Sequence, residues 1–177
     1  GDTVKAAVNQ AYAVLESSRQ STVLEGVKDR KSYAIDVIEE MRWGKGGSGY
    51  FWINDTDPVM VMHPIKPSLN GKQLGGIEDP DGKHLFREFV KVCEAEEAGF
   101  VDYKWPKPGH EEPVDKISYV RLFKPWDWII GGGIYLETNE KAEMKQAEKD
   151  LESLRYGEKD QGYFWVNDMN TVVVMHP

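Results

Sequence analysis

Apolar residues recur every three or four positions through the first forty residues of the chain, which is the spacing of one face of an α-helix. The pattern weakens between residues 21 and 26 and then resumes, so residues 3–43 are predicted to form one or two long helices. A glycine-rich run at 44–49 ends the segment, because glycine readily adopts the conformations that terminate helices. The apolar positions are Val4, Ala7, Val8, Ala11, Val14 and Leu15, followed by Ala34, Ile35, Val37, Ile38 and Met41.

From residue 50 the chain changes to aromatic and β-branched runs separated by turn residues, a pattern typical of strands. Two such runs flank Thr56-Asp57-Pro58 and predict a β-hairpin. The pattern as a whole predicts an α+β fold, in which the long N-terminal helix packs on a five-stranded antiparallel PAS-like sheet. The predicted strands span 50–55, 59–63, 100–105, 116–123 and 126–134, with a Pro/Gly-rich loop at 65–82 and a short amphipathic helix at 84–95.

The chain contains an internal repeat. Residues 38–64 align with residues 151–177 without a gap at an offset of 113, and fourteen of the 27 aligned positions are identical. We therefore predict a first domain at 1–137, with its helices at 3–43 and its sheet at 50–135. Residues 138–177 are predicted to be a connecting helix and the first hairpin of a second, truncated repeat.

Composition excludes several classes of function. Thirty acidic residues against 22 basic ones give a net charge of −8, which disfavours binding to nucleic acid and to anionic membrane surfaces. The single cysteine, Cys93, excludes an internal disulfide and a multi-thiolate metal site. No apolar stretch is long enough for a membrane span, and the start inside a helical pattern indicates a piece of a longer chain.

Motifs for catalysis are lacking. The sequence has no nucleophile elbow, no phosphate-binding lysine loop and no pair of histidines at metal-binding spacing. The run at 54–57 resembles the start of a calcium loop but lacks the glycine and distal glutamate of an EF-hand. We expect a protein that is not an enzyme and that needs neither a cofactor nor a metal.

Six blocks, in order and spacing, resemble the Cache_2-type sensor domain. They are Gly-Tyr-Phe-Trp-Ile-Asn-Asp (49–55), Val-Met-His-Pro (61–64), Leu-Asn-Gly-Lys (69–72), Tyr-Lys-Trp-Pro-Lys-Pro (103–108), Lys-Ile-Ser-Tyr-Val (116–120) and the tryptophan- and glycine-rich run at 126–135. The resemblance implies a periplasmic sensor domain of a chemotaxis receptor or sensor histidine kinase, with a tandem arrangement of two Cache repeats. It also implies a small carboxylate ligand such as acetate, pyruvate, lactate or propionate. We expect the intact protein to be membrane-anchored and homodimeric.

A small carboxylate requires charge-assisted donors within a largely apolar pocket. By resemblance, a lysine and a histidine bind the carboxylate, two tyrosines donate hydrogen bonds and two further side chains form walls. A cationic form of the histidine is a separate hypothesis, because its ordinary pKa is near 6.5. Each residue also has an ordinary structural explanation: a strand-end histidine bonded to backbone, a solvated edge lysine, or core aromatic residues. A lysine in the loop, Lys66, is a further residue that could reach the pocket. The candidates are Lys116 and His63 for the carboxylate, Tyr103 and Tyr119 as hydrogen-bond donors, and Trp52 and Met62 as walls.

Two alternative functions stay open at this point. A soluble carboxylate-binding protein would use the same pocket without signalling. A small hydrolase or isomerase would use His63 as a general base.

Overall fold

The computed structural model describes residues 2–136, together with the backbone of four short strands between residues 155 and 175. The chain divides into two compact units, residues 1–135 and residues 136–177. The first unit contains the elements that form the candidate site.

Two helices form the N-terminal segment, α1 (Asp2–Gln20) and α2 (Val27–Glu40). They are separated where the apolar pattern weakens. The Arg30 guanidinium of α2 donates hydrogen bonds to the Arg19 and Leu24 carbonyls at 3.0 and 3.2 Å. These bonds satisfy backbone acceptors at and after the end of α1, where no helical partner exists. The sequence predicted one or two helices in this segment, and the structure has two.

The sheet has five antiparallel strands in the order β2-β1-β5-β4-β3, so the predicted α+β, PAS-like fold is confirmed. A third helix connects the hairpin to the remaining strands, where the amphipathic pattern predicted it. The last predicted strand begins two residues later than expected, because a short 3-10 turn ends at Asp127 in a left-handed conformation. The elements are β1 (Phe51–Asp55), β2 (Met60–Met62), α3 (Leu85–Glu96), β3 (Ala98–Pro106), β4 (Pro113–Phe123) and β5 (Trp128–Tyr135).

The two faces of the sheet have separate hydrophobic cores. One face packs against α1 and α2 and includes Phe51, Ile53 and Phe123. The other face packs against α3 and includes Trp52 and Val120. Because successive side chains of a strand point to opposite faces, each strand contributes to both cores. The face beneath α3 contains the candidate site.

The second unit contains two short hairpins, β6 (Arg155–Tyr156) with β7 (Gly162–Tyr163), and β8 (Val166–Asn167) with β9 (Val173–Met175). The pairing of β8 with β9 repeats that of β1 with β2 at the offset of 113, including the same shift in register. The connecting helix predicted after residue 137 lies outside the described residues. The boundaries predicted for the two domains therefore stay a prediction.

Candidate ligand-binding site

A small, partly open cavity lies between the sheet and α3. Strands β1, β3 and β4 and the end of β2 provide aromatic and polar side chains, and α3 provides an apolar wall. Such a mixture of apolar walls and a few polar groups is typical of sites for small ligands. The lining residues are Tyr50, Trp52, His63, Leu85, Phe86, Phe89, Tyr103, Trp105 and Lys116.

Lys116 is the buried cation of this cavity, with 1% of its surface exposed. Its Nζ lies 4.3 Å from the centre of the Tyr50 ring and 4.8 Å from that of Tyr135. Among the residues that the structure describes, no carboxylate lies within ion-pair distance of this ammonium. Burial without a counter-charge disfavours the protonated form and lowers the pKa of Lys116 to about 7.

A chain of tyrosine hydroxyls orients the groups around Lys116. The Tyr135 hydroxyl donates to the Pro106 carbonyl at 2.8 Å and lies 3.2 Å from the Tyr50 hydroxyl. Because the Tyr135 hydroxyl donates its proton to the Pro106 carbonyl, the Tyr50 hydroxyl donates its own proton to the Tyr135 oxygen. The Tyr50 oxygen is then the acceptor for the Lys116 ammonium, 2.9 Å away.

His63 is held as a neutral ring. Its Nδ1 accepts hydrogen bonds from the backbone N–H groups of Ile65 and Lys66, at 3.2 and 3.0 Å. Burial, together with the charges of Lys116 and Lys66, lowers the pKa of His63 to about 3. The remaining proton is therefore on Nε2, so the structure favours a neutral donor over the cationic histidine, whose role in binding stays a prediction. Asn70 fixes this segment by accepting a hydrogen bond from the His63 backbone N–H at 2.9 Å.

Two glycines of β5 make room for the side chains on the floor of the cavity. A Cβ at Gly131 would overlap the Trp52 ring, and one at Gly133 would overlap Ser118 and approach the Lys116 stem. The Ser118 hydroxyl in turn lies 2.8 Å from the Tyr103 hydroxyl, in hydrogen-bond contact. The glycine run therefore permits the close packing that positions the ammonium and the tyrosine.

A family model described as a Cache domain, dCache_2, matches residues 1–177 of this chain. The chain belongs to the Cache domain family. The resemblance noted from the six sequence blocks is confirmed.

Relatives of this Cache domain are sensory proteins. The methyl-accepting chemotaxis protein McpP of Pseudomonas putida is 49% identical over 104 residues, which cover 59% of this chain and 19% of McpP. The sensor histidine kinase MctS of Rhizobium johnstonii is 31% identical over 107 residues, covering 60% of this chain and 23% of MctS. The match thus spans about a fifth of the length of each relative.

Solved structures share the fold. One, described as the "structural basis for carboxylic acid recognition by a Cache chemosensory domain", is 39% identical with a TM-score of 0.73. It is matched over 77% of this chain and 92% of its own. A periplasmic sensor domain of a chemotaxis protein is 42% identical with a TM-score of 0.72, over 76% of this chain and 93% of its own.

Four of the six predicted site residues line the cavity of the Cache domain: Trp52, His63, Tyr103 and Lys116. The alternation of β3 explains why Tyr103 and Trp105 face the same side. The alternative that Lys116 is a solvated lysine at the edge of the sheet is wrong, because this side chain is buried. Whether these residues bind a ligand stays a prediction.

The other two predicted residues, Met62 and Tyr119, lie on the opposite face of the sheet, in the core beneath α1 and α2. Tyr119 is three positions from Lys116 on β4, and an odd spacing on a strand reverses the face. Its ring packs 4.9 Å from that of Phe100. The assignment of these two residues to the pocket is therefore corrected.

Tyr50, Tyr135 and the apolar wall from α3 were not predicted from the sequence. One signal was present for Tyr50, which lies two positions before Trp52 and therefore shares its face. The amphipathic pattern of α3 predicted a buried face but could not indicate that this face covers a cavity.

The described part of the chain offers few alternative sites. Within residues 2–136 there is no group of three or more His, Cys, Asp or Glu side chains placed to hold a metal ion. No helix in this same range is long and apolar enough to cross a membrane.

Proposed function

We propose that this Cache domain is the extracytoplasmic ligand-binding domain of a membrane-anchored receptor and that it recognises a small carboxylate in the Lys116 cavity. Acetate, pyruvate, lactate and propionate are the candidate ligands. The receptor is a chemotaxis receptor or a sensor histidine kinase, and its binding domain faces the periplasm.

The observation that carries the proposal is the buried Lys116 ammonium, which has no acidic partner among the described residues. An unpaired cation inside a protein is costly, which is why burial lowers the pKa of Lys116 to about 7, and a counter-charge would restore its protonated form. A carboxylate ligand supplies the missing counter-charge. The ammonium has three N–H donors and gives one to Tyr50, so donors are left for a ligand.

The surrounding groups favour a carboxylate with a short apolar tail. The Nε2–H of neutral His63 is a further donor within the cavity, and the Tyr103 hydroxyl, which is hydrogen-bonded to Ser118, is a further polar group there. Leu85, Phe86 and Phe89 of α3 offer only apolar contacts to the rest of the ligand. A second carboxylate against this wall would be desolvated without a partner, so monocarboxylates are favoured over dicarboxylates.

The relatives support the receptor part of the proposal. Two of the matched relatives are named as a methyl-accepting chemotaxis protein and a sensor histidine kinase, and one similar structure is described as periplasmic. Another is described by its recognition of carboxylic acids.

Signal transmission would use β4, which carries Lys116 toward the cavity and Arg121 toward α1. The Arg121 guanidinium lies 3.7 Å from the centre of the Tyr12 ring and donates to Asn9 at 2.7 Å. A ligand that contacts two arrangements of β4 differently would shift the population of α1 positions.

The hydrolase alternative has a specific difficulty. A general base needs a free ring nitrogen, but His63 Nδ1 already accepts two backbone hydrogen bonds and Nε2 carries the proton. We therefore favour binding over catalysis.

Calorimetric titration of the 177-residue chain with the four acids tests the proposal, with propionamide and succinate as controls. We expect at least one monocarboxylate to bind, with propionamide binding at least tenfold more weakly, since the amide lacks the charge that Lys116 recognises. Ligand binding should also raise the melting temperature. Equal binding of propionate and propionamide, or binding of none of the four acids, would contradict the proposal.

A further inference from the structure

Lys66 lies beside the cavity without lining it. Its Nζ is 4.7 Å from the centre of the Trp105 ring, and Trp105 is part of the cavity wall. The backbone N–H of Lys66 donates to His63 Nδ1 at 3.0 Å, which ties this residue to the same wall. The side chain is half-buried, and its ammonium lies against the aromatic wall.

The ion pairs of the domain leave this ammonium without an acidic partner. Lys83 pairs with Asp102 at 2.9 Å and Lys91 with Glu88 at 3.7 Å, and both of these cations are thereby compensated. Within residues 2–136, no carboxylate lies within ion-pair distance of Lys66. The charge of Lys66 acts on groups inside the cavity, because it contributes to the lowered pKa of His63.

An uncompensated cation at this position matters because the chain as a whole repels anions. The net charge of −8 disfavours the approach of a carboxylate from solution. A positive charge at the edge of a cleft locally reverses that effect and increases the rate at which anions enter.

We propose that Lys66 is an anion-attracting residue at the edge of the cavity, which draws the carboxylate toward the Trp105 wall before the ligand reaches Lys116. The inference rests on the proposed function. It assigns different roles to the two lysines: Lys66 increases the rate of association, and Lys116 holds the bound ligand.

The two roles differ in their kinetic signature. Removing a partly exposed charge at the edge of a site mainly lowers the association rate and its dependence on salt. Removing a buried charge that contacts the ligand mainly raises the dissociation rate. Lys66→Gln and Lys116→Met are therefore expected to affect opposite rate constants.

The exchange of carbon-13-labelled propionate between free and bound states, followed by NMR line-shape analysis, measures both rates on the full chain. In about 0.01 M salt, where the Debye length is ~30 Å, we expect Lys66→Gln to lower the association rate at least about threefold. The dissociation rate should change less than about twofold. In about 1 M salt, where the Debye length is ~3 Å, the difference in association rate should disappear.

Lys28→Gln is the matched control, since it removes the same charge from an exposed position on α2, which packs on the other face of the sheet. It should lower the association rate much less than Lys66→Gln does and leave the dissociation rate unchanged. An unchanged association rate in Lys66→Gln, or an equal loss in Lys28→Gln, would overturn the inference while leaving carboxylate binding intact. If the unsubstituted chain binds none of the four acids, the proposed function itself fails, and the inference fails with it.

Discussion

The Lys116 ammonium donates a hydrogen bond of 2.9 Å to the Tyr50 hydroxyl, across the sheet from β4 to the residue preceding β1. The Tyr50 oxygen is an acceptor there because its own proton is directed to Tyr135, which donates to the Pro106 carbonyl. The ammonium is thus held in a fixed direction by a neutral acceptor rather than by a carboxylate. A binding site for an anion requires such an arrangement, because a fixed internal acid would compete with the ligand.

Replacement of Lys116 by Met is expected to weaken carboxylate binding by ~1.5–3 kcal/mol, the usual range for hydrogen bonds to charged groups. Folding should be unaffected or strengthened, because Met removes a buried polar group that has no charged partner. Calorimetric titration with propionate and thermal unfolding measure the two effects. Lys28→Met serves as the control for loss of charge. Unchanged affinity in Lys116→Met would show that the ligand binds elsewhere.

The affinity for propionate should fall as the pH rises above 7. In the free domain the pKa of Lys116 is about 7, because burial disfavours the ammonium. A bound carboxylate stabilises the ammonium and raises that pKa, so above pH 7 binding takes up a proton. The affinity then decreases by up to about tenfold per pH unit, and it levels off below pH 7 where Lys116 is already protonated.

Titrations between pH 6 and 9 test this dependence, because propionate stays ionised throughout that range. Repeating them in buffers with different ionisation enthalpies measures the proton uptake directly. An affinity that is constant from pH 6 to 9, with no proton uptake, would mean that Lys116 is fully charged before the ligand arrives.

Substitutions of His63 should depend on whether the replacement keeps an acceptor and a donor. Glutamine offers an oxygen for the backbone N–H groups of Ile65 and Lys66 and an N–H for the ligand, whereas leucine offers neither. We expect His63→Leu to lose ~1.5–3 kcal/mol of binding free energy and His63→Gln to lose less. Equal losses in calorimetric titration would indicate that only the shape of the ring matters.

His63 also makes stability depend on pH. Its folded pKa of about 3 lies below the ordinary 6.5, so the unfolded chain binds the proton more readily. The contribution of neutral His63 to the free energy of unfolding is therefore complete above pH 6.5 and is lost as the pH falls toward 3. Urea unfolding at pH 4 to 7 should therefore show a smaller loss of stability in His63→Gln than in the unsubstituted chain. An identical pH dependence in both would contradict a neutral His63.

The sequence was sufficient to predict the sheet because its strands are long aromatic and β-branched runs with clear turn residues between them. It was also sufficient to place Trp52, His63, Tyr103 and Lys116 at one cavity, because the family blocks contain them, whereas their role in binding stays a prediction. The prediction failed for Tyr119. This residue was assigned to the pocket because it shares a sequence block with Lys116, although their odd spacing on β4 puts the two side chains on opposite faces of the sheet.

Other features depend on contacts between distant parts of the chain. The hydroxyl of Tyr135 reaches Tyr50 across 85 positions of sequence, and no local pattern encodes that contact. The lowered pKa of Lys116 likewise follows from the rings that surround it in space. Only its burial, and not its sequence neighbours, makes this lysine differ from a surface one.

Gly131 provides the last test, because it lies directly opposite Trp52 in the pairing of β1 with β5. A methyl group there would overlap the indole ring, which forms part of the cavity wall. Gly131→Ala should therefore lower the free energy of unfolding by ~1–3 kcal/mol, the usual cost of overpacking a core. The displaced ring would also disturb the cavity, so propionate should bind more weakly than this loss of stability alone explains.

Gly76→Ala is the matched control, since a Cβ at Gly76 would meet nothing within 4 Å. It should leave both the melting temperature and the affinity unchanged. Binding is measured at a temperature where both variants are fully folded, so that the loss of affinity is separated from unfolding. If Gly131→Ala is destabilised but binds propionate with unchanged affinity, then Trp52 moves away from the cavity rather than into it, and its role as a wall of the site is wrong. If the variant is as stable as the unsubstituted chain, the close contact between Trp52 and β5 is itself contradicted.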